Sequence, residues 1–167
     1  MSHAHHHDQK DTGPLPVAII TVSDTRTVHD DTSGATAAEL LRGAGHELIS
    51  HVIVRDEAEA IVAAVRAALA AGASLVVTNG GTGIAPRDVT YEAVSAILDK
   101  TLDGFGEAFR RLSWDEIGPR AMLSRAVAGT LERSLVVVLP GSTKAVRLGV
   151  EQLVLPIARH AVGLLRG

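Results

Sequence analysis

Cysteine is absent from the chain, and aromatic residues are scarce. Its 167 residues include one Trp, one Tyr and two Phe. Without cysteine the chain can form no disulfide, no thiolate zinc site and no cysteine nucleophile, which fits a reducing compartment. With so few aromatic rings, it also lacks the platforms on which single-stranded bases stack.

Excess positive charge and long apolar runs are missing as well. The formal net charge is -3, from 16 basic and 19 acidic residues, so no basic footprint for nucleic acid or an anionic membrane is expected. No apolar stretch approaches the roughly 20 residues of a membrane span, and the first residues are polar and His-rich, unlike a signal peptide. We therefore expect a cytoplasmic protein with no nucleic-acid or membrane partner.

Residues 1–14 form a polar segment without hydrophobic periodicity, which predicts a disordered N-terminal tail. Its histidines could bind a transition metal, but terminal His runs are more often tags or plain tails. We assign this segment no function and place one domain at residues 15–167.

The rest of the chain has the alternating pattern of an α/β domain. At 46% hydrophobic residues it can bury a core. Apolar runs and helical periodicity predict strands at 17–22, 47–54 and 74–78, separated by helices at 36–42 and 58–72. Further along, the pattern predicts helices at 91–98 and 104–112, a hairpin from 126–131 and 134–139, and a final helix over 143–165, interrupted near Pro156. The order of elements predicts a three-layer αβα domain with a mostly parallel sheet and a C-terminal β-hairpin region.

Unusual loops follow the predicted parallel strands, where ligands bind in open α/β sheets. After the third strand, Gly80, Gly81 and Gly83 would let backbone N–H groups approach an anion closely. A tight turn would explain the same glycines, since their spacing matches neither the dinucleotide fingerprint nor a P-loop. Both interpretations remain open at this point.

The loop 140–144 leads from a buried strand into the last helix, whose first N–H groups form a second candidate anion site. Lys144 lies in the first helical turn, where a cation opposes the helix dipole. A bound phosphate would explain its position, although a solvated lysine beside an ordinary helix cap would also account for the pattern.

Four aspartates, Asp24, Asp31, Asp56 and Asp88, are expected at the same edge of the sheet. Singly, each is more often a cap or a solvated charge. Beside two phosphate loops, however, carboxylates require a cation such as Mg²⁺, which binds one or two carboxylates plus phosphate oxygens. The histidines of the domain, including His51, have no metal-ligand spacing and are interpreted as structural or solvent-facing.

Six ordered blocks between residues 17 and 156 resemble the MoaB/Mog family of molybdopterin adenylyltransferases, and the MoaB branch in particular. The blocks are Val22-Ser23-Asp24-Thr25-Arg26, Asp30-Asp31-Thr32-Ser33-Gly34, Gly80-Gly81-Thr82-Gly83 with Arg87-Asp88-Val89-Thr90, Gly104-Phe105-Gly106-Glu107, Leu123-Ser124-Arg125-Ala126 and Pro140-Gly141-Ser142-Thr143-Lys144.

The resemblance implies site residues by position. Asp56 and Asp88 match the family's catalytic and Mg²⁺-handling acids, the loop 80–83 matches the phosphate and nucleotide loop, and Ser124 with the loop 140–144 matches the pterin side. The substrate-binding residues implied in this way are Ser23, Asp24, Asp31, Ser33, Gly34, Asn79, Gly80, Gly81, Thr82, Gly83, Ser124, Pro140, Gly141, Ser142 and Lys144.

The resemblance also implies a reaction and an assembly. The terminal phosphate of molybdopterin would attack the α-phosphorus of Mg-ATP, giving adenylylated molybdopterin and pyrophosphate. The family pattern implies homotrimers or hexamers and hand-over of the product to the molybdate-insertion enzyme.

Two alternatives differ in function. A catalytically silent, molybdopterin-binding MoaB paralogue is one, although the presence of both Asp56 and Asp88 argues for activity. A nucleotide-processing enzyme of the same fold, of the competence-damage type, is the other. Two departures from the family pattern affect the pocket: Asn79 stands where Thr is frequent, and Tyr91 stands where Pro is frequent.

Overall fold

The computed structural model describes residues 13–167, so the expected tail, up to residue 12, lies outside the described residues. Six strands form one open sheet in the order β2-β1-β3-β6-β5-β4. The strands β2, β1, β3 and β6 run parallel, whereas β5 is antiparallel to both β6 and β4. The strands are β1 Pro16–Val22, β2 Glu47–Val54, β3 Leu75–Asn79, β4 Lys100–Thr101, β5 Val127–Leu131 and β6 Ser134–Leu139.

Helices cover both faces of the sheet because side chains alternate along each strand. One face packs against α1, α4, α5 and α6, and the other against α2 and α3. In β1, for example, Val17 and Ile19 join the first core, whereas Ala18 and Ile20 join the second. The expected three-layer αβα fold with a β5–β6 hairpin is confirmed. The helices are α1 Thr32–Gly43, α2 Ala58–Ala70, α3 Thr90–Ser95, α4 Asp103–Ile117, α5 Thr143–Gly149 and α6 Leu155–Arg166.

Several expected boundaries were wrong. The first helix starts at Thr32 instead of residue 36, because the Asp31 side chain caps it by accepting from the N–H of Gly34. The helix expected to end at 112 continues to Ile117, and a 3₁₀ turn, Gly118–Leu123, follows it. The two-residue strand β4 was not expected, since its pairing with β5 is set by tertiary contacts.

The expected interruption of the last helix is confirmed, but it lies before Pro156. A π-helical segment, Val150–Val154, separates α5 from α6, and Pro156 occupies the first turn of α6. Proline lacks the N–H and its ring crowds the preceding turn, so the widened turn accommodates it.

The stretch Thr143–Arg166 is long and apolar enough to cross a membrane by length and composition alone. In the fold it serves as a core helix. Its fully buried residues recur every fourth position and pack against the sheet: Val146, Val150, Val154, Ala158 and Val162.

Candidate functional site

The carboxyl ends of the parallel strands lie side by side, as the sequence predicted. Asn79, the last residue of β3, pairs with Thr21 on one side and with Leu139 on the other. The loops that follow these strands begin in contact with the neighbouring strands. The N–H of Gly80 donates to the carbonyl of Leu139 at 3.0 Å, and the N–H of Ser23 donates to the carbonyl of Val54 at 2.9 Å.

The glycine loop, residues 80–83, has a backbone that other residues would adopt only with strain. Gly80 and Gly81 have φ values of +102° and +71°. A Cβ on Gly80 would lie 2.3 Å from the carbonyl oxygen of Val22, and one on Gly141 would lie 3.1 Å from Cα of Gly80. The glycines therefore allow three loops to approach one another at the end of the sheet.

Four consecutive N–H groups of this segment, from Gly81 to Ile84, donate no hydrogen bond to any group within residues 13–167. Backbone donors are normally paired in a folded chain. A run of such donors at the carboxyl end of a parallel strand is suited to binding an anion. Of the two interpretations left open by the glycine spacing, this geometry favours the anion cradle.

Two carboxylates border the glycine loop. A Cβ on Gly81 would lie 3.1 Å from Oδ1 of Asp56, and one on Gly83 would lie 2.7 Å from Oδ2 of Asp88. Asp88 is held by the N–H of Ala85, which donates to its Oδ2 at 3.0 Å. Desolvation raises the pKa of Asp56, and the negative charges of Asp24 and Asp88 raise it further. The edge is therefore electrostatically negative around Asp56.

Asp24 is different, because it is paired. The Nε of Arg87 donates to its Oδ2 at 2.7 Å, and the N–H of Asp56 donates to its Oδ1 at 3.2 Å. The hydrogen bond from Arg87 lowers the pKa of Asp24. Arg87 thus partly offsets the charge of Asp24 and occupies its Oδ2, which leaves Asp56 and Asp88 as the carboxylates that border the loop.

Asp56 and Asp88 are suited to a cation that is shared with a ligand. Within residues 13–167, no three His, Asp or Glu side chains form a group that could hold a metal by themselves. Mg²⁺ is commonly bound by one or two carboxylates together with substrate phosphates. A divalent cation would also relieve the repulsion that raises the pKa of Asp56, so the residues present fit Mg²⁺.

Asp31 lies in a buried hydrogen-bond network beneath the strand ends, away from solvent. Its side chain is 1% exposed and accepts from Thr21 Oγ1 at 2.7 Å, from His51 Nε2 at 2.8 Å and from the N–H of Gly34 at 3.1 Å. Burial alone would raise the pKa of Asp31, but these hydrogen bonds outweigh it and lower the pKa. Asp31 is therefore ionised at neutral pH, and His51 Nε2 is the donor.

Ser33 and Asn79 complete this network. The Ser33 hydroxyl donates to Oδ1 of Asn79 at 2.7 Å, and Nδ2 of Asn79 donates to Thr21 Oγ1 at 3.1 Å. Both residues are 0% exposed. A Cβ on Gly34 would lie 2.3 Å from Asp31 Oδ2, so this glycine lets α1 pack onto the network.

These contacts change the expected roles of four residues. Asp31, Ser33, Gly34 and Asn79 were expected to bind substrate, but all four are buried, and the side chains of Asp31, Ser33 and Asn79 are hydrogen-bonded within the network. Burial of this kind does not support direct ligand contact. We assign the four residues to the support of the strand ends, with Asn79 linking β3 to β1.

The loop 140–144 is anchored next to the glycine loop. Arg26 donates through Nη2 to the carbonyl of Gly141 at 2.9 Å and through Nη1 to Ser33. Ser142 caps α5 by accepting from the N–H of Ala145 at 3.1 Å. Lys144 is exposed and lines a groove of about 500 Å³ with Glu116, Arg147 and Glu151, so the structure does not place its side chain against the glycine loop.

Ser124 lines a cleft of about 520 Å³ together with Tyr91, Arg110, Arg125 and Glu107. Its hydroxyl oxygen is buried and has no hydrogen-bond partner among the described residues. A buried hydroxyl without a partner is costly unless a ligand or water satisfies it. This observation singles out Ser124 within the cleft.

Sequence reasoning missed the arginines as parts of the site. Arg26, Arg87 and Arg125 lay within the quoted blocks but received no role. Each contacts a partner far away in the chain, for example Arg26 with Gly141 and Arg87 with Asp24. Their position beside candidate loops was the available signal, but the spacing does not reveal such partners.

The fold and site define a class of protein. Residues 18–160 match the family described as a probable molybdopterin binding domain, and the chain belongs to this family. The expected resemblance to MoaB/Mog proteins is confirmed.

Particular relatives agree with this class. The chain is 52% identical over 144 residues to molybdenum cofactor biosynthesis protein B of Bacillus cereus, covering 85% of each chain. A crystal structure of a molybdenum cofactor biosynthesis protein B superimposes with a TM-score of 0.89 at 50% identity, covering 92% of this chain and 96% of the other. The tungsten cofactor synthesizing protein MoaB from Pyrococcus furiosus superimposes with a TM-score of 0.85 at 37% identity, covering 92% and 98%. The chain thus has a role in molybdenum-cofactor biosynthesis.

Proposed function

We propose that this chain is a nucleotidyltransferase that transfers AMP from Mg-ATP to molybdopterin. The observation that carries the proposal is the run of four N–H groups, in residues 81–84, that have no partner in the described part of the chain and are bordered by Asp56 and Asp88. Backbone donors suit the phosphates of both substrates, and carboxylates suit a shared metal ion.

The reaction needs little acid-base chemistry from the protein. A terminal phosphate oxygen of molybdopterin forms a bond to the α-phosphorus of ATP, while the bond from that phosphorus to the β-phosphate oxygen breaks and pyrophosphate leaves. The attacking oxygen is already ionised, so positioning and charge stabilisation dominate. The donors of the glycine loop would stabilise charge on the transferred phosphoryl group.

Asp56 and Asp88 would hold Mg²⁺ with the nucleotide phosphates. When bound, the ion supplies neutralisation of phosphate charge. The protein's contribution is to hold both carboxylates beside the loop. The N–H of Ala85 donates to the side chain of Asp88 and holds it in place. Arg87 pairs with Asp24, which makes Asp24 less available to a metal ion.

We assign the pterin to the side of Ser124. The buried hydroxyl without a partner and the adjoining cleft support this assignment. Gly141 approaches Gly80 of the glycine loop from the other side, which supports a role at the phosphate junction for Gly141 and for its chain neighbours Pro140 and Ser142. Tyr91 lines the same cleft, so the departure from Pro at this position affects the pocket wall.

The decisive experiment is AMP transfer from Mg-ATP to molybdopterin by the purified protein. Asp56→Asn and Asp88→Asn should each lower kcat by about 100-fold or more, because each removes a charge needed at the phosphates. Molybdopterin binding and the fold should be preserved. Asp115→Asn on the exposed face of α4 is the matched control and should keep full activity.

Each outcome decides between the alternatives. Wild-type turnover that survives in Asp88→Asn would contradict the catalytic assignment. Tight pterin binding by the wild type without any turnover would favour the silent MoaB paralogue. Turnover of another nucleotide-containing substrate, without pterin binding, would favour the nucleotide-processing enzyme.

The proposal includes a cytoplasmic location, a homotrimer or hexamer, and hand-over of adenylylated molybdopterin to the molybdate-insertion enzyme. Light scattering on a sizing column tests the assembly directly. A pull-down of the insertion enzyme in the presence of ATP and molybdopterin tests the hand-over.

A further inference from the structure

We infer that Arg125 is a positioning residue that orients the donor amides of the glycine loop and links them to the cleft beside Ser124. The inference deepens the proposed function and rests on it. Arg125 sets the geometry of the loop, because it binds backbone carbonyls that point in the direction opposite to the donor N–H groups.

All three guanidinium nitrogens of Arg125 bind the segment around the loop. Nε donates to the carbonyls of Thr82 and Gly83 at 3.2 and 3.1 Å. Nη2 donates to the carbonyls of Gly83 and Asp88 at 2.6 and 3.0 Å. Nη1 pairs with Glu92 at the start of α3. One side chain therefore closes the segment 82–88 at both of its ends.

The contacts with carbonyls determine where the N–H groups point. In a planar trans peptide, the C=O of one residue and the N–H of the next point in opposite directions. By holding the carbonyls of Thr82 and Gly83, Arg125 directs the N–H groups of Gly83 and Ile84 away from itself. These are two of the four unpaired donors.

Arg125 also supports Asp88. It binds the backbone carbonyl of Asp88, while the side chain of Asp88 accepts from Ala85 and lies against Gly83. The carboxylate and the donors are thus held in one rigid unit. Loss of the guanidinium would release the carboxylate and the amides together.

Two neighbours connect this unit with the cleft. The Tyr91 ring lies over the Arg125 guanidinium, with 5.3 Å between the ring centroid and Cζ, and both side chains line the cleft of about 520 Å³. A group bound in the cleft would contact the same guanidinium that orients the loop. Lysine could not replace it, because a single ammonium cannot span four contacts in a fixed plane.

The test compares Arg125→Ala and Arg125→Lys with Arg147→Ala, which removes an exposed ion pair between Arg147 of α5 and Glu151 of the π-helical segment. We expect both Arg125 variants to raise KM for Mg-ATP and lower kcat, each by about tenfold or more, as lost charge-assisted hydrogen bonds predict. Arg147→Ala should match the wild type. Added guanidinium ion should restore part of the activity of Arg125→Ala and leave Arg147→Ala unchanged.

A second measurement separates this inference from the proposed function. Three backbone amides, those of Ala85, Asp88 and Thr90, donate hydrogen bonds to groups within residues 81–90. Their hydrogen exchange should accelerate about tenfold in Arg125→Lys, relative to amides of the core strands, because the guanidinium contacts with the loop carbonyls are lost. We expect this faster exchange even if the wild type transfers no AMP. A wild type that transfers no AMP would overturn the proposed function but not the role of Arg125.

Unchanged kinetics together with unchanged exchange in Arg125→Lys would overturn the inference. So would a loss of activity in Arg125→Ala that guanidinium does not restore while Arg125→Lys stays fully active, because a point charge would then be sufficient.

Discussion

Two aspartates, Asp31 and Asp56, lie at the same end of the sheet and differ in how their negative charge is balanced. Asp31 belongs to a buried network in which donors surround the carboxylate. Asp56 lies beside the glycine loop, near two other carboxylates and next to N–H groups that have no partner within residues 13–167. Polar groups that the chain satisfies hold the fold together, and those it leaves unsatisfied mark where a ligand is expected.

The pKa directions express the same difference. Burial disfavours the charged form of both Asp31 and Asp56. For Asp31 the hydrogen bonds outweigh burial and lower the pKa, whereas for Asp56 neighbouring negative charge adds to burial and raises it. Replacing each aspartate with asparagine should therefore change stability in opposite directions.

The largest expected effect on stability is that of Asp31→Asn. An amide places a donor where Thr21, His51 and the Gly34 N–H already donate, so the free energy of unfolding at pH 7 should fall by about 3 kcal/mol. Urea denaturation measures this loss. The exposed neighbour provides the control, since Asp30→Asn should change stability by less than about 1 kcal/mol.

The pH dependence of this loss follows from the lowered pKa of Asp31. Its folded-state pKa lies below the ordinary value of 3.8, so the contribution is fully present above pH 3.8 and is lost as the pH falls through the folded-state pKa. The difference between the wild type and Asp31→Asn should shrink only below that pH. A constant difference down to acid unfolding would contradict the ionised network.

A smaller loss is expected from Gly80→Ala. The new methyl group would be 2.3 Å from the Val22 carbonyl oxygen at a φ of +102°, so the cost should be about 2 kcal/mol with a distorted loop and reduced AMP transfer. The control is Gly43→Ala at the end of α1, where nothing lies within 4 Å and φ is not positive. Equal stability of the two variants in thermal unfolding would argue against the strained loop.

The smallest effect has the opposite sign. Asp56→Asn should raise the free energy of unfolding at pH 7 by a few tenths of a kcal/mol, because solvent screens much of the repulsion that it removes. The folded-state pKa of Asp56 is raised, so its destabilising charge is present at neutral pH and disappears as the pH falls through that pKa. Thermal unfolding at pH 7 and at acid pH measures the change; lower stability of the variant at pH 7 would contradict it.

The sequence predicted the layers of the fold well because apolar runs and periodicity are local signals. It also predicted that Asp56 and the glycines meet, since the ends of parallel strands share one edge of the sheet. It did not predict the start of α1 at Thr32, because the residues around Asp31 have the composition of a loop until the cap is seen. The family resemblance, which carries no information on burial, implied a substrate-binding role for Asp31.

The internal contacts of the site could not be predicted from the sequence. Asn79 and Thr21 are 58 residues apart, and Arg125 is 43 residues from Thr82. Such pairs depend on the register of β1 against β3 and on the path of the chain after α4. Local propensity carries no information about either.

The wide turn at Val150–Val154 explains how two distant residues face the same side of the sheet. Val146 and Ala158 are both fully buried although they are 12 positions apart. In a regular helix at about 100° per residue, 12 positions would leave them about 120° apart, whereas 11 positions make nearly three whole turns. The π turn absorbs the additional residue. It acts as a single-residue insertion that keeps the same face of the helix on the sheet.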